Sequence, residues 1–254
     1  MIKFFRRIRQ NLLSENKFAR YLLYAFGEIV LVVIGILIAL GINNMNQNRI
    51  NEKIEQTYLN GLKQEFLMSK IKLEELLKVN QRNYAGAKKI LEYTGKANES
   101  PTEAAFSELL YSTFSSDIAF NPNNSLLIEI INSGNLKNVS NAELRIHLTN
   151  WIATLDDIAR QERDLEIQRE KVLDMFRTNE HSLKTIFMDT GVYDTLNLPK
   201  SENSLSNLTM LQSTAFENNV LMYILASHAT EKAHYIPLLQ DLNAILDLIE
   251  AEVE

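Results

Sequence analysis

The chain has 254 residues, 46% of them hydrophobic, with eight glycines, four prolines, no cysteine and a net charge of −6. The missing thiols exclude a disulfide framework, a thiolate metal site and a cysteine nucleophile. Few Gly and Pro argue against a strand-and-turn fold, so the expected class is all-α, with an anchor and one domain of about 200 residues.

Charge is distributed unevenly. Residues 1–20 hold Lys3, Arg6, Arg7, Arg9, Lys17 and Arg20 against Glu15 alone, which leaves the rest strongly acidic. A basic tip on an acidic body is a membrane-sorting pattern, and that acidity speaks against nucleic acid as a partner. Within the opening MIKFFRRIRQNLL, Phe5, Ile8 and Leu12 recur at helical spacing, with Lys3, Arg6, Arg7 and Arg9 around the other side. The pattern predicts an amphipathic helix whose cations meet lipid headgroups, or a tip that simply sets topology. Ser14 is the expected cap of the next helix, with Glu15 in its first turn.

YLLYAFGEIVLVVIGILIALGIN follows. From Tyr21 to Ile42 it spans roughly 33 Å at about 1.5 Å per residue, close to the hydrocarbon thickness of a bilayer. It is too long for the apolar region of a cleaved signal peptide, and GINNMNQN follows it. The expected organisation is therefore a cytoplasmic basic segment (1–20), a transmembrane helix (21–43) and a periplasmic helical bundle (44–254) at a bacterial inner membrane. Glu28 sits inside the apolar run. At about 100° per residue it shares one face with Ala25, Val32, Gly35 and Ala39, a face of small residues suited to close helix approach. A carboxyl there is expected to meet a partner helix, in a homo-oligomer or on another membrane protein. The competing expectation is that Glu28 snorkels toward the headgroups or Arg20.

Beyond the apolar run, Ile50, Ile54, Leu62, Phe66, Leu73, Leu76 and Leu77 keep helical spacing. They predict a helix from about Met45 to Thr94, stopped by Gly95, that runs on from the membrane helix as a stalk, with Gly41 and the Asn-rich NNMNQN as candidate bends. Ser100, Pro101 and Glu103 read as N-cap, first-turn proline and capping-box acid of a short helix. SSDIAFNPNNS reads as a loop, and SLLIEIINSG as a short helix ending at Gly134. Ser140 and Glu143 form a second predicted capping box.

From Leu144 a four–three spacing selects Leu148, Trp151, Leu155, Ile158, Glu162, Leu165, Arg169, Val172 and Phe176, a bundle seam expected to run to about Asp189. A last helix from about Thr214 carries Val220, Ile224, Ser227, Glu231, His234, Leu238, Leu242, Ile245 and Ile249. The whole predicts an elongated antiparallel bundle with coiled-coil-like helices. Both late seams turn polar: Glu162 and Arg169 in one, Ser227, Glu231 and His234 in the other. They would form one buried layer if the helices face each other. The preferred expectation is that the bundle splays there and these residues are wet, because buried charge needs complete pairing.

No catalytic motif emerges. Glu231-x-x-His234 is half of a di-iron ligand pattern, but no second Glu-x-x-His exists, so no metal is expected. Phosphate loops, a G-x-S-x-G elbow and H-E-x-x-H are absent, and neither enzyme activity nor a cofactor is expected.

The residues MIKFFRRIRQNLLSENKFARYLLYAFGEIVLVVIGILIALGINN resemble the start of a family of uncharacterised single-pass membrane proteins of Bacteroidota. AFNPNNSLLIEIINSGNLKNVSNAELR is similar to the middle of the same family. The resemblance implies topology and localisation but no mechanism. A fainter architectural resemblance, to the small subunits of ion-driven membrane complexes, would make Glu28 a proton-exchanging residue. Against it, this chain carries Glu where those subunits carry Asp and has no recognisable peptidoglycan-binding domain. A ligand-sensing periplasmic bundle is the third expectation.

Overall fold

The computed structural model describes residues 18–95, 100–199 and 205–253. Lys3, Arg6, Arg7 and Arg9, with the amphipathic helix and Ser14 cap expected around them, lie outside the described residues. The chain divides into two units, residues 1–56 and 57–254. Every regular element among the described residues is a helix, so the fold is all-α.

One helix, α1 (Phe18–Leu91), forms the described part of the first unit and the first long element of the second. The helix is unbroken from the apolar run into the stalk, as expected for a continuous helix. Helical structure continues through Gly41 and NNMNQN, where the Gln47 side chain donates to Asn51 Oδ1 one turn on at 3.1 Å. Such pairs offset the modest helix cost of Asn. Ile50 and Ile54 remain exposed, whereas in the second unit Leu59, Leu62, Phe66, Leu73, Leu77, Ala87 and Ile90 form the buried stripe. After α1, Gly95 takes a left-handed φ of 73° and its N–H donates to the Leu211 carbonyl. The helix itself ends at Leu91, three residues before the expected Thr94, and a turn over 92–95 leads to Gly95.

The second unit is built on this stripe. Helix α2 (Glu103–Phe114) is capped two residues beyond the expected Ser100: Thr102 caps it, accepting from the Ala105 N–H. With the cap at Thr102, Glu103 is the first residue of the helix and stands too near the cap to close a capping box; its carboxylate accepts from the Asn207 N–H at 2.8 Å. Helix α3 (Ser125–Asn132) has no cap of its own. Glu65 of α1 fills that role, accepting from the N–H groups of Leu126 (2.7 Å) and Leu127 (3.2 Å). A carboxylate is favoured there by the orphan donors and the positive end of the helix dipole. Gly61 permits the approach, since a Cβ at that position would lie 2.3 Å from a Leu126 methyl.

Helix α4 (Ala142–Asp174) is capped by Asn141, not Ser140: the Asn141 side chain accepts from the Leu144 N–H. Its seam is buried at Leu144, Leu148, Trp151, Ile158, Leu165 and Val172. The helix does not reach Asp189. It tightens into a short turn over Met175–Arg177 and then becomes extended at Thr178. Ser182 caps a new helix, α5 (Leu183–Asp189), which is followed by the single turn α6 (Val192–Thr195). Helix α5 packs on α2, and the Ser107 hydroxyl donates to Asp189 at 2.7 Å.

The last expected helix is two helices, α7 (Thr214–Ala229) and α8 (Ile236–Glu252), joined by a π-turn over Thr230–Tyr235. The Ile236 N–H reaches back five residues to the Glu231 carbonyl. Pro237 explains the widening: it has no N–H to donate, and its ring would crowd the carbonyl four residues earlier in an ordinary helix. Helices α7 and α8 pack along α4.

Candidate functional site

Two regions carry the residues singled out by sequence, one in each unit. In the first unit, α1 leaves fourteen large apolar side chains exposed between Leu22 and Ile42. Mean hydropathy reaches 2.7 in this stretch and none of it is buried, so it is long and apolar enough to cross a membrane by length and composition. Among residues 22–42, only Ala25, Glu28, Val32, Gly35 and Ala39 fall within one arc of about 80°, at about 100° per residue. A Cβ built at Gly35 meets nothing within 4 Å, so the backbone there is open to a neighbour. Apart from Gly27 and Gly41, larger side chains occupy the rest of the circumference.

In the second unit, the polar positions of the late seams are not wet. Glu162 and Ser227 are buried and Glu231 is nearly so, while Arg169 and His234 are half-buried. The bundle therefore stays closed at this level, which corrects the splayed expectation. The residues do not form one layer either; they divide among separate networks. Glu162 accepts from the Tyr235 hydroxyl at 2.5 Å and from the Phe120 N–H at 2.8 Å. Burial raises its carboxyl above the ordinary value, the two hydrogen bonds offset part of that, and nearby Asp117 adds to it. Ser227 exchanges hydrogen bonds with Asn80 of α1: its hydroxyl donates at 2.8 Å, and its carbonyl accepts from the amide at 3.1 Å. Glu231 meets Lys232 at 3.1 Å and Gln81 at 3.4 Å. Arg169 Nε donates to the Phe114 carbonyl at 2.7 Å, closing the end of α2. His234 belongs to none of these networks and lies on a polar groove between α4 and α8, with Asp157, Asp164 and Asp241.

Sequence reasoning missed the other half of this interior. Asn80 and Asn83 are fully buried on α1, and Tyr223, Thr230 and Tyr235 are buried on the last helices. The asparagines continue the α1 stripe Leu73, Leu77, Asn80, Asn83, Ala87, so their spacing carried the signal. Tyr235 takes the place expected for His234 because the π-turn shifts the face. The Thr113 hydroxyl is buried without a hydrogen bond inside the protein, and the buried Asn83 amide and Tyr223 hydroxyl meet only in a poorly aligned contact that falls short of a full hydrogen bond. Burial pushes the Tyr223 phenol up to about 12, with Asn83 and the Arg169 charge acting in the opposite sense.

Among the described residues, no group of three or more His, Asp or Glu is placed to hold a metal ion. The chain matches a family of unknown function, DUF6090, over residues 28–156, just over half its length. The protein belongs to the DUF6090 family. The matched region takes in Glu28, Val32, Gly35 and Ala39 of the arc, then α2, α3 and the first half of α4. It also covers AFNPNNSLLIEIINSGNLKNVSNAELR. No curated protein and no solved structure matches this DUF6090 chain.

Proposed function

We propose that this protein is a non-enzymatic, membrane-anchored helical bundle whose anchor pairs with another helix through Ala25, Glu28, Val32, Gly35 and Ala39. In this reading residues 1–20 are cytoplasmic, residues 21–43 span the bacterial inner membrane and the body is periplasmic. The partner helix belongs to a second copy of the chain or to another membrane protein.

The observation that carries the reading is the exposed run from Leu22 to Ile42. Fourteen exposed large side chains, at about 1.5 kcal/mol or more each, amount to roughly 20 kcal/mol of unfavourable hydration. That exceeds the typical folding stability of about 5–15 kcal/mol, so the run calls for lipid or protein cover. Glu28 adds only about 2.5–3.5 kcal/mol against insertion. A uniformly large circumference would suit lipid alone; the arc of small residues around Glu28 favours a helix at that side.

Two measurements on the full chain test this. Light scattering in lipid nanodiscs or mild detergent reports the mass of the particle, and Glu28→Gln and Gly35→Leu are expected to shrink it. An unchanged mass in both variants overturns the pairing. Because the chain has no cysteine, Ser14→Cys and Ser100→Cys can be probed singly with an impermeant maleimide. Labelling of position 100 from the periplasm, and of position 14 only after lysis, is expected; the reverse pattern overturns the orientation.

A further inference from the structure

The second unit contains a pocket that shares only the Arg169–Phe114 pair with the networks above. It has a volume of about 330 Å³ and lies among α2, α4, the Met175–Arg177 turn, α5 and α6. Leu110, Phe114, Ile186 and Phe176 are its most buried walls, and Tyr111 and Phe187 meet edge to face with ring centres 6.5 Å apart. Two charged side chains line it, Arg169 and Arg177, and both are cations.

The two arginines are compensated unequally. Arg177, 57% exposed, pairs with Glu170 Oε2 at 2.9 Å and makes a close contact with Asp174. Both acids next to the pocket are thus engaged at the rim. Arg169 is only 15% exposed, and its nearest carboxylate oxygen, on Glu170, is 3.4 Å away. Its Nε is spent on the Phe114 carbonyl, and among the described residues Nη2 has no acceptor. The Nε bond fixes the guanidinium plane, so the remaining donors are held in one orientation at an apolar cavity. A partly buried, fixed and under-compensated guanidinium is a carboxylate receptor: it offers charge and paired donors in the geometry a carboxylate accepts.

We propose that this pocket binds a small amphipathic carboxylate, its charged end on Arg169 and its apolar body against Phe114, Phe176 and Ile186. At about 30 Å³ per water-sized group, the cavity takes an apolar body on the order of ten non-hydrogen atoms. A single aromatic ring on a short chain suits it; a full lipid tail does not. This site lies wholly in the second unit and does not depend on the anchor reading.

The test uses the full chain in lipid nanodiscs, free of detergent that would compete for the cavity, with 4-phenylbutyrate as the probe and calorimetry as the readout. Saturable binding is expected, and the neutral 4-phenylbutanol should bind roughly tenfold or more weakly. Val192→Trp fills the pocket from the α6 side and should weaken the acid to the same degree while leaving the fold intact. Arg169→Met should weaken the acid but not the alcohol. Glu170→Gln should tighten the acid, because it removes the one carboxylate that contends for Arg169. If Arg169→Met fails to fold, the Val192 and Glu170 variants and the acid–alcohol comparison still decide. Absence of saturable binding, equal binding of acid and alcohol, or indifference to Val192→Trp overturns the proposal. If palmitate binds in competition with 4-phenylbutyrate and more tightly, the occupant is a lipid-derived acid and not a small free carboxylate.

Discussion

Replacing Glu162 separates its two jobs, accepting hydrogen bonds and carrying charge. In Glu162→Ala the Tyr235 hydroxyl and the Phe120 N–H both lose their acceptor in a buried setting. Each orphaned donor costs about 1–3 kcal/mol, so the loss is roughly 2–6 kcal/mol. For a unit of this size about 1 kcal/mol moves the Tm by roughly 2–4 °C, which predicts a fall on the order of 5–20 °C. Glu162→Gln keeps a carbonyl oxygen for both donors and should stay within about 1 kcal/mol of the parent protein.

The charge shows itself through pH. Because burial raises the Glu162 carboxyl, the folded state holds its proton at a pH where the unfolded chain has lost it. The group's contribution to stability is therefore complete below its ordinary value of 4.5 and is lost as pH rises through the raised value. Glutamine does not titrate, so Glu162→Gln should gain on the parent as pH goes from below 4.5 toward neutrality. Trp151 offers the assay: it is the single tryptophan, fully buried, with its ring centre 5.1 Å from that of Phe66. Its fluorescence during thermal unfolding of the full chain in nanodiscs gives the Tm at each pH. Equal losses in the Ala and Gln variants, or a Gln-to-parent difference that ignores pH, would refute the reasoning.

Asn83→Leu, which keeps the branched outline of the side chain but enlarges it, should raise the Tm, with a gain of about 1 kcal/mol, since it removes a buried amide whose contact with the Tyr223 hydroxyl is poorly aligned; a lower Tm would mean that the amide is satisfied in solution or that the added bulk is not accommodated. Gly86→Ala should destabilise by about 1–3 kcal/mol, because its Cβ would lie 2.2 Å from the buried Thr113 hydroxyl. Gly86→Ala with Thr113→Ala should recover most of that loss. Gly61→Ala meets only a Leu126 methyl, which can turn aside, and should be nearly neutral. Glu65→Ala removes the acceptor for the first turn of α3 and should cost about 1–2 kcal/mol, with faster amide hydrogen exchange at Leu126 and Leu127.

The periodic parts of the fold were legible. The α4 seam from Leu144 to Val172, the stop shortly before Gly95 and the short helix before Gly134 all follow from apolar spacing and end signals. What escaped depends on partners far away in the chain. Glu103 stands three residues after Ser100, where a capping-box acid would belong, yet the cap falls at Thr102 and the Glu103 carboxylate meets the Asn207 N–H, and no local pattern announces residue 207. Asn124 leaves α3 uncapped because Glu65 does the work from another helix. The stop of α4 at Asp174 had a local signal, since Ser182 is a good N-cap, but the apolar spacing running past it was the louder feature. In the interior, Asn80 and Asn83 lay on the expected stripe and were passed over because they are polar. The unequal compensation of Arg169 and Arg177 has no sequence signature, because both neighbours, Glu170 and Asp174, are close to either arginine in the chain.

The widened turn at Thr230–Tyr235 has a consequence for how this chain can change length. It behaves as one surplus residue lodged in an otherwise continuous rod, so everything after it is rotated by about 100° relative to an uninterrupted helix. Losing that surplus together with Pro237 would restore the ordinary winding and keep Leu238, Leu242 and Ile249 inward, whereas a deletion elsewhere in α7 or α8 would turn them out. Relatives that lack the proline are thus expected to be one residue shorter there, and a fixed-period comparison would misalign their final helices unless a gap is opened at that spot.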